Sequence, residues 1–125
     1  MMKGQLSMEY LMLFFVTLIL LSISAFALLE IKSYSEILSK KIAFKYSAVS
    51  LGNAINEICV LGNGNSRFVL IYEEILVETE EDVLILTSAD ASYKKQIFCE
   101  TENTEISKGG VYVENENGII EIREQ

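Results

Sequence analysis

Three groups of residues in this 125-residue chain carry side chains and spacings able to do chemistry. The first is Gln5-Leu6-Ser7-Met8-Glu9-Tyr10, a polar hexad with one carboxylate directly ahead of an uncharged apolar run over residues 11–29. A carboxylate at the centre of a bilayer costs about 2.5–3.5 kcal/mol, and less near an interface, so Glu9 calls for a compensating partner. The alternative is a carboxylate near a helix start, favoured by the macrodipole. The second group is Cys59 and Cys99, the only cysteines, in a chain with no histidine. Two thiolates without further soft ligands do not complete a four-coordinate zinc site, so no metal is expected. A bridge between them would close a loop of about 40 residues and stabilise the fold by roughly 4 kcal/mol in the chain-entropy model. Two buried free thiols are the alternative. The third group is the carboxylate runs Glu73-Glu74, Glu80-Glu81-Asp82 and Glu100/Glu102/Glu105, which lie between or beside β-prone runs and read as solvated turns rather than an acid/base pair or a calcium site. None has the spacing of an EF-hand loop.

The remaining catalytic patterns are missing. Without histidine there is no His-based triad and no usual zinc motif, and no glycine loop carries a Walker-type lysine. Gly62-x-Gly64 precedes β-prone residues rather than a helix, so it is a turn and not a phosphate cradle. No enzyme activity and no cofactor are expected. The chain also lacks an N-x-S/T sequon.

The element that must position Glu9 is the apolar run itself. Its 19 residues, as a helix rising about 1.5 Å per residue, would extend roughly 28 Å, close to the hydrocarbon thickness of a bilayer. Two fates are open to such a segment. In a secretory signal peptide, cleavage after the core, near Ser22, Ser24, Ala25 and Ala27, would discard it. In an anchor it stays, and the same small residues let helices approach closely.

Lys3-Gly4 followed by Gln5-x-Ser7-x-Glu9-Tyr10 and an apolar helix resembles the class III signal peptide of archaeal type IV pilins, a group found chiefly in methanogens. The resemblance covers about residues 3–29. It implies that a prepilin-type membrane peptidase cuts between Gly4 and Gln5, with Lys3, Ser7, Glu9 and Tyr10 completing the processing motif, and that the whole apolar helix stays in the mature subunit. It further implies that Glu9, fifth in the processed chain, meets the new N-terminal amine of a neighbouring subunit during assembly. An unpaired charge in an apolar setting is costly, so such a pair would reject wrong registers more than add affinity. A cyclised Gln5 would have no cationic amine to offer. Met1 and Met2 are both candidate starts.

Half of the residues are hydrophobic and mean hydropathy is +0.31, an excess concentrated in residues 1–29. Net charge is −8, unevenly spread: residues 1–29 sum to zero, residues 30–65 to +1 and residues 66–125 to −9. An acidic head repels phosphate backbones, so nucleic acid is not an expected partner. Lys3 lies on one side of the apolar run and Lys32, Lys40 and Lys41 on the other, so charge alone leaves the topology open. The pilin resemblance implies a cytoplasmic leader and an external head.

Between Gln5 and Leu51 there is neither glycine nor proline, so one helix of nearly fifty residues is expected, weakened or kinked at Gly52-Asn53 and ended by Gly62-Asn63-Gly64-Asn65-Ser66. Beyond Leu29, Ile31, Tyr34, Leu38, Ile42, Tyr46 and Val49 form one apolar stripe, expected to carry the head. Ile37, Phe44, Ala48, Leu51 and Ile55 form a second, for neighbouring helices; a single broad core face is the alternative. Six β-prone runs follow, at 67–72, 75–78, 83–87, 94–99, 111–114 and 119–123. They predict one small antiparallel sheet, with the first and third runs, apolar on both faces, as central strands. Asn117-Gly118 marks a hairpin. A two-residue turn sets Val113 against Ile122 and Glu114 against Glu121, whereas a four-residue loop sets Val113 against Ile120.

The expected fold is α+β: a long N-terminal helix, half apolar and half amphipathic, packed on a small C-terminal antiparallel β head, like a type IV pilin. The divisions are a leader at 1–4, a membrane or filament-core helix at 5–29, an amphipathic continuation at 30–61 and the β head at 62–125. The expected function is a structural subunit of a surface filament, held in the membrane before assembly, with the processing peptidase, other subunits and the assembly machinery as partners. The rivals are a minor pilin that primes or regulates assembly and a monomeric signal-anchored surface protein whose β head binds ligands.

Overall fold

The computed structural model describes residues 2–125, apart from the side chains of Met2, Lys3 and Leu6. One α-helix, α1 (Met2–Leu61), precedes eight strands: β1 (Ser66–Ile71), β2 (Ile75–Glu80), β3 (Val83–Thr87), β4 (Ser92–Gln96), β5 (Glu100–Thr101), β6 (Thr104–Ile106), β7 (Gly109–Glu116) and β8 (Ile119–Glu124). The chain divides into two compact units, Met1–Leu38 and Ser39–Gln125. The class is α+β, a long apolar helix whose C-terminal part packs on small sheets.

The strands form two four-stranded sheets rather than one, in the orders β1-β7-β8-β5 and β4-β3-β2-β6. All pairings are antiparallel except β5 with β8, which is parallel. The third expected run, β3, is interior, but the first, β1, is an edge strand. The second apolar face of β1 is therefore uncovered: Phe68 and Leu70 are exposed while Val69 and Ile71 are buried. The run expected at 94–99 forms β4 only as far as Gln96, because Ile97 then turns into the core, its amide donating to the Asp82 carbonyl at 2.9 Å.

The core of the Ser39–Gln125 unit joins Phe44, Ala48, Leu51, Ala54, Ile55 and Ile58 of α1 to inward residues of both sheets, among them Val77, Leu84, Leu86, Val111, Val113 and Ile120. This reverses the expected roles of the two helix stripes. The less regular stripe, through Phe44, Ala48, Leu51 and Ile55, carries the sheets. In the more regular one, Ile42 and Tyr46 stay exposed. A single broad core face is thus not what the helix uses. Small residues lie among the packed positions: Ala48 and Ala54 are fully buried, and Gly52 leaves room for the side chains of Tyr93 and Lys95.

Gly52 does not break the helix; α1 runs through it. A β carbon there would meet Tyr93 Cε1 at 3.3 Å and Lys95 Cδ at 3.4 Å, so glycine admits β4 against the helix. At the end of α1, Gly62 takes φ +85° and its amide donates to the Ile58 carbonyl at 3.1 Å, a left-handed C-terminal cap.

The hairpin takes the two-residue turn. Asn117 (φ 58°) and Gly118 (φ 89°) give the mirror-image geometry that suits the strand twist, and Val113 faces Ile122 while Glu114 faces Glu121. Asn115, 3% exposed, binds the hairpin to the helix cap: its amide donates to the Asn65 carbonyl at 3.0 Å, its carbonyl accepts from Gly64 at 2.9 Å, and its Oδ1 accepts from Gly118 at 3.0 Å.

Candidate functional site

The processing motif lies on the first turns of α1. Gly4, Gln5, Ser7, Glu9 and Tyr10 are all exposed. Of the remaining residues singled out there, Met1 and the Lys3 side chain lie outside the described residues. Since α1 begins at Met2, Glu9 sits about two turns into the helix, beyond the first turn over which the macrodipole acts. Dipole stabilisation therefore does not account for this carboxylate in the unprocessed chain.

The run that follows belongs to α1, the one helix among the described residues that is long and apolar enough to cross a membrane. Among the described residues none covers this run: Leu11, Phe14, Leu18, Leu21, Phe26 and Leu29 are all exposed. Its polar side chains turn inward on the helix backbone. Ser22 Oγ donates to the Leu18 carbonyl at 2.9 Å and Ser24 Oγ to the Leu20 carbonyl at 2.8 Å, and Thr17 Oγ1 donates likewise to Leu13. Hydroxyls bonded in this way present no free donor to hydrocarbon, so the segment suits lipid or other apolar helices as solvent. Such a helix is compatible with a single-pass membrane anchor.

Cys59 and Cys99 are joined in a disulfide, with Cα atoms 5.8 Å apart, so the free-thiol alternative does not hold. The bridge ties the last turn of α1 to the segment between β4 and β5. Its loop is 40 residues long and holds β1 through β4, one strand of the first sheet and three of the second, so it ties that stretch of the head to the helix.

Of the acidic runs, Glu73, Glu74, Glu81, Asp82 and Glu102 lie between strands, whereas Glu80, Glu100 and Glu105 lie within β2, β5 and β6 rather than in turns. Glu81 and Asp82 make the β2–β3 turn, with Glu81 at φ 53°, and Glu73 pairs with Lys108 at 3.5 Å. Glu81, Asp82, Phe98, Glu100 and Glu102 border a wide, open depression. Among the described residues no three His, Cys, Asp or Glu side chains are grouped to hold a metal ion.

Sequence reasoning missed an exposed aromatic surface on the head. Tyr46 of α1 packs on Tyr72 with ring centroids 5.7 Å apart, and Phe68 of β1 packs on Tyr112 of β7 at 5.3 Å. The backbone amide of Tyr72 donates to Ser47 Oγ at 2.8 Å, which fixes the end of β1 to the helix. The available signal was the doubly apolar run at 67–72, whose second face pointed to a partner other than the core. Beside it, Arg123 contacts Glu114 at 3.5 Å, Glu116 at 3.0 Å and Glu121 at 3.2 Å. The Glu121 hydrogen bond, then the charges of Glu114 and Glu116, hold the Arg123 guanidinium above its ordinary pKa.

No protein-family model matches the chain, and no curated protein or solved structure matches it either.

Proposed function

We propose that the chain is a structural subunit of an archaeal type IV pilus-like surface filament. It is processed between Gly4 and Gln5 by a prepilin-type peptidase, waits in the membrane as a single-pass protein, and polymerises outside through its N-terminal helix. The observation that carries this reading is the pairing of an uncovered apolar helix with a motif of the pilin type directly ahead of it. A helix that is apolar on every side must find lipid or protein all round, and exchange of lipid for other copies of the same helix satisfies it equally well.

The processing step suits the local structure. The first turn of a helix lacks half of its backbone hydrogen bonds, and Gly4 costs about 1 kcal/mol of helix propensity relative to alanine, so opening the chain at Gly4-Gln5 for a peptidase disturbs little. Glu9 and the new amine of Gln5 on a neighbouring subunit then form the pair that fixes the axial register. The acidic β head keeps the assembled filament soluble in the exterior medium.

The test is the mass of the N-terminal peptide from filaments sheared off cells. A peptide beginning at Gln5 supports the proposal. A chain beginning after Leu29, or one that never leaves the membrane fraction, overturns it.

A further inference from the structure

The Ser39–Gln125 unit carries an apolar band that its own fold leaves uncovered. On α1, Ile42, Tyr46 and half-buried Val49 line an open groove of about 500 Å³. The Tyr46–Tyr72 contact leads from this groove to the outer face of β1, where Phe68, Leu70 and Tyr72 recur at every second residue, and the Phe68–Tyr112 contact leads on to β7. Contiguous exposed apolar surface of this kind marks an interaction site.

The two ends of the band are oppositely charged. At the helix end, residues 37–56 hold Lys40, Lys41 and Lys45 and no acid, and Lys45 lines the groove. At the sheet end, beyond Tyr112, the outer face of β7 and β8 sets Glu114, Glu116 and Glu121 around the one guanidinium of Arg123, two negative charges in excess. A lipid surface or a polyanion would meet the lysines and be repelled by the carboxylates. A partner with the same two-ended pattern matches both.

We propose that this band docks on a second copy of the chain, the basic helix end of one copy lying on the acidic sheet end of the next. The inference rests on the self-assembly reading above and adds to it the head surface through which neighbours recognise one another. In copies that share one direction, contact between unlike ends is head-to-tail and repeats from copy to copy, as open assemblies require. The aromatic middle supplies buried area and the charged ends set the register.

Cross-linking of the processed chain, beginning at Gln5 and otherwise unaltered, tests this. Natural-abundance and 15N-labelled chains are mixed, reconstituted together in lipid vesicles and treated with a zero-length carbodiimide, and oligomeric state is measured on the same sample. Mixed-isotope peptides joining Lys41 or Lys45 to Glu114, Glu116 or Glu121 are expected, falling about tenfold when the reaction is run near 1 M salt. Oligomers that yield mixed-isotope peptides only elsewhere, or none, overturn the band as the contact and leave the self-assembly reading intact. Chains that stay monomeric overturn both.

Discussion

The ring of Phe68 lies against Gly110, the β7 residue paired with Leu70, so closely that a β carbon at position 110 would stand 2.5 Å from Phe68 Cε2. The absence of a side chain at Gly110 is what lets an aromatic on an edge strand reach across to β7, beside Tyr112. Gly110→Ala must therefore push the ring away. Overpacking of this kind costs about 1–3 kcal/mol, toward the low end here because Phe68 is half exposed and able to swing. Near-UV circular dichroism should change, and the added cost should disappear in the Phe68→Ala background, as a double-mutant cycle by urea denaturation would show.

The exchange of the two helix stripes makes a direct contrast. Ile55 is fully buried against the sheets, and Ile55→Ala should cost about 2–5 kcal/mol of head stability. Ile42, 61% exposed, belongs to the more regular stripe, and Ile42→Ala should leave stability within about 0.5 kcal/mol of the parent while weakening self-association. Thermal melts and sedimentation of the two variants check this. Equal losses of stability would show that both stripes are core.

Much of the architecture was legible because its signals are local. The helix over the stretch from Gln5 to Leu51 that lacks glycine and proline, the Gly62 cap and the Asn117-Gly118 turn each follow from residues adjacent in the chain. What was not legible depends on residues far apart. Periodicity shows that Ile42 and Ile55 lie on stripes but not which stripe the sheets choose, since that depends on strand residues far away in the chain, such as Val77, Leu84 and Val113, that join Ile55 in the core. The split into two sheets turns on Ile97 leaving β4 for the core and on Cys99 reaching Cys59, neither of which a strand pattern encodes. The motif from Gly4 to Tyr10 was readable as residue types, while the aromatic band appeared only once β1 fell at a sheet edge.

The disulfide closes a 40-residue loop, so Cys59→Ser with Cys99→Ser should lower head stability by up to about 4 kcal/mol in the chain-entropy model. Urea denaturation of the parent with and without reductant should reproduce the difference between parent and double variant. Identical midpoints in all three samples would show that the clamp contributes nothing.

The two-residue turn sets Glu114 opposite Glu121, a like-charge pair that Arg123 relieves from the same face. Because its pKa is raised on folding by ionised glutamates, the stability Arg123 contributes is complete at neutral pH and on the alkaline side is lost only as strongly alkaline conditions deprotonate it. Salt is therefore the better probe. Arg123→Met should lower the urea midpoint at low ionic strength, and the gap from the parent should shrink near 1 M salt, where the Debye length is about 3 Å. A gap that does not change with salt would mean that the loss comes from packing of the arginine stem.

Glu9 separates assembly from folding most cleanly. It is exposed on α1 and lies outside the unit that holds the core and the disulfide, so Glu9→Ala should leave the thermal melt of the head unchanged. In hydrocarbon the substitution removes a costly charge, so membrane retention should rise rather than fall. If Glu9 fixes register by meeting the amine of Gln5 on a neighbour, Glu9→Ala and the nearly isosteric Glu9→Gln should both abolish sheared filaments, because each removes the charge. Intact-mass analysis of the parent filament supplies the companion measurement, since a cyclised Gln5 has no amine to pair. Filaments that persist in Glu9→Gln, or a fully cyclised terminus in assembled protein, would end the ion-pair account while leaving the apolar helix as the polymer core.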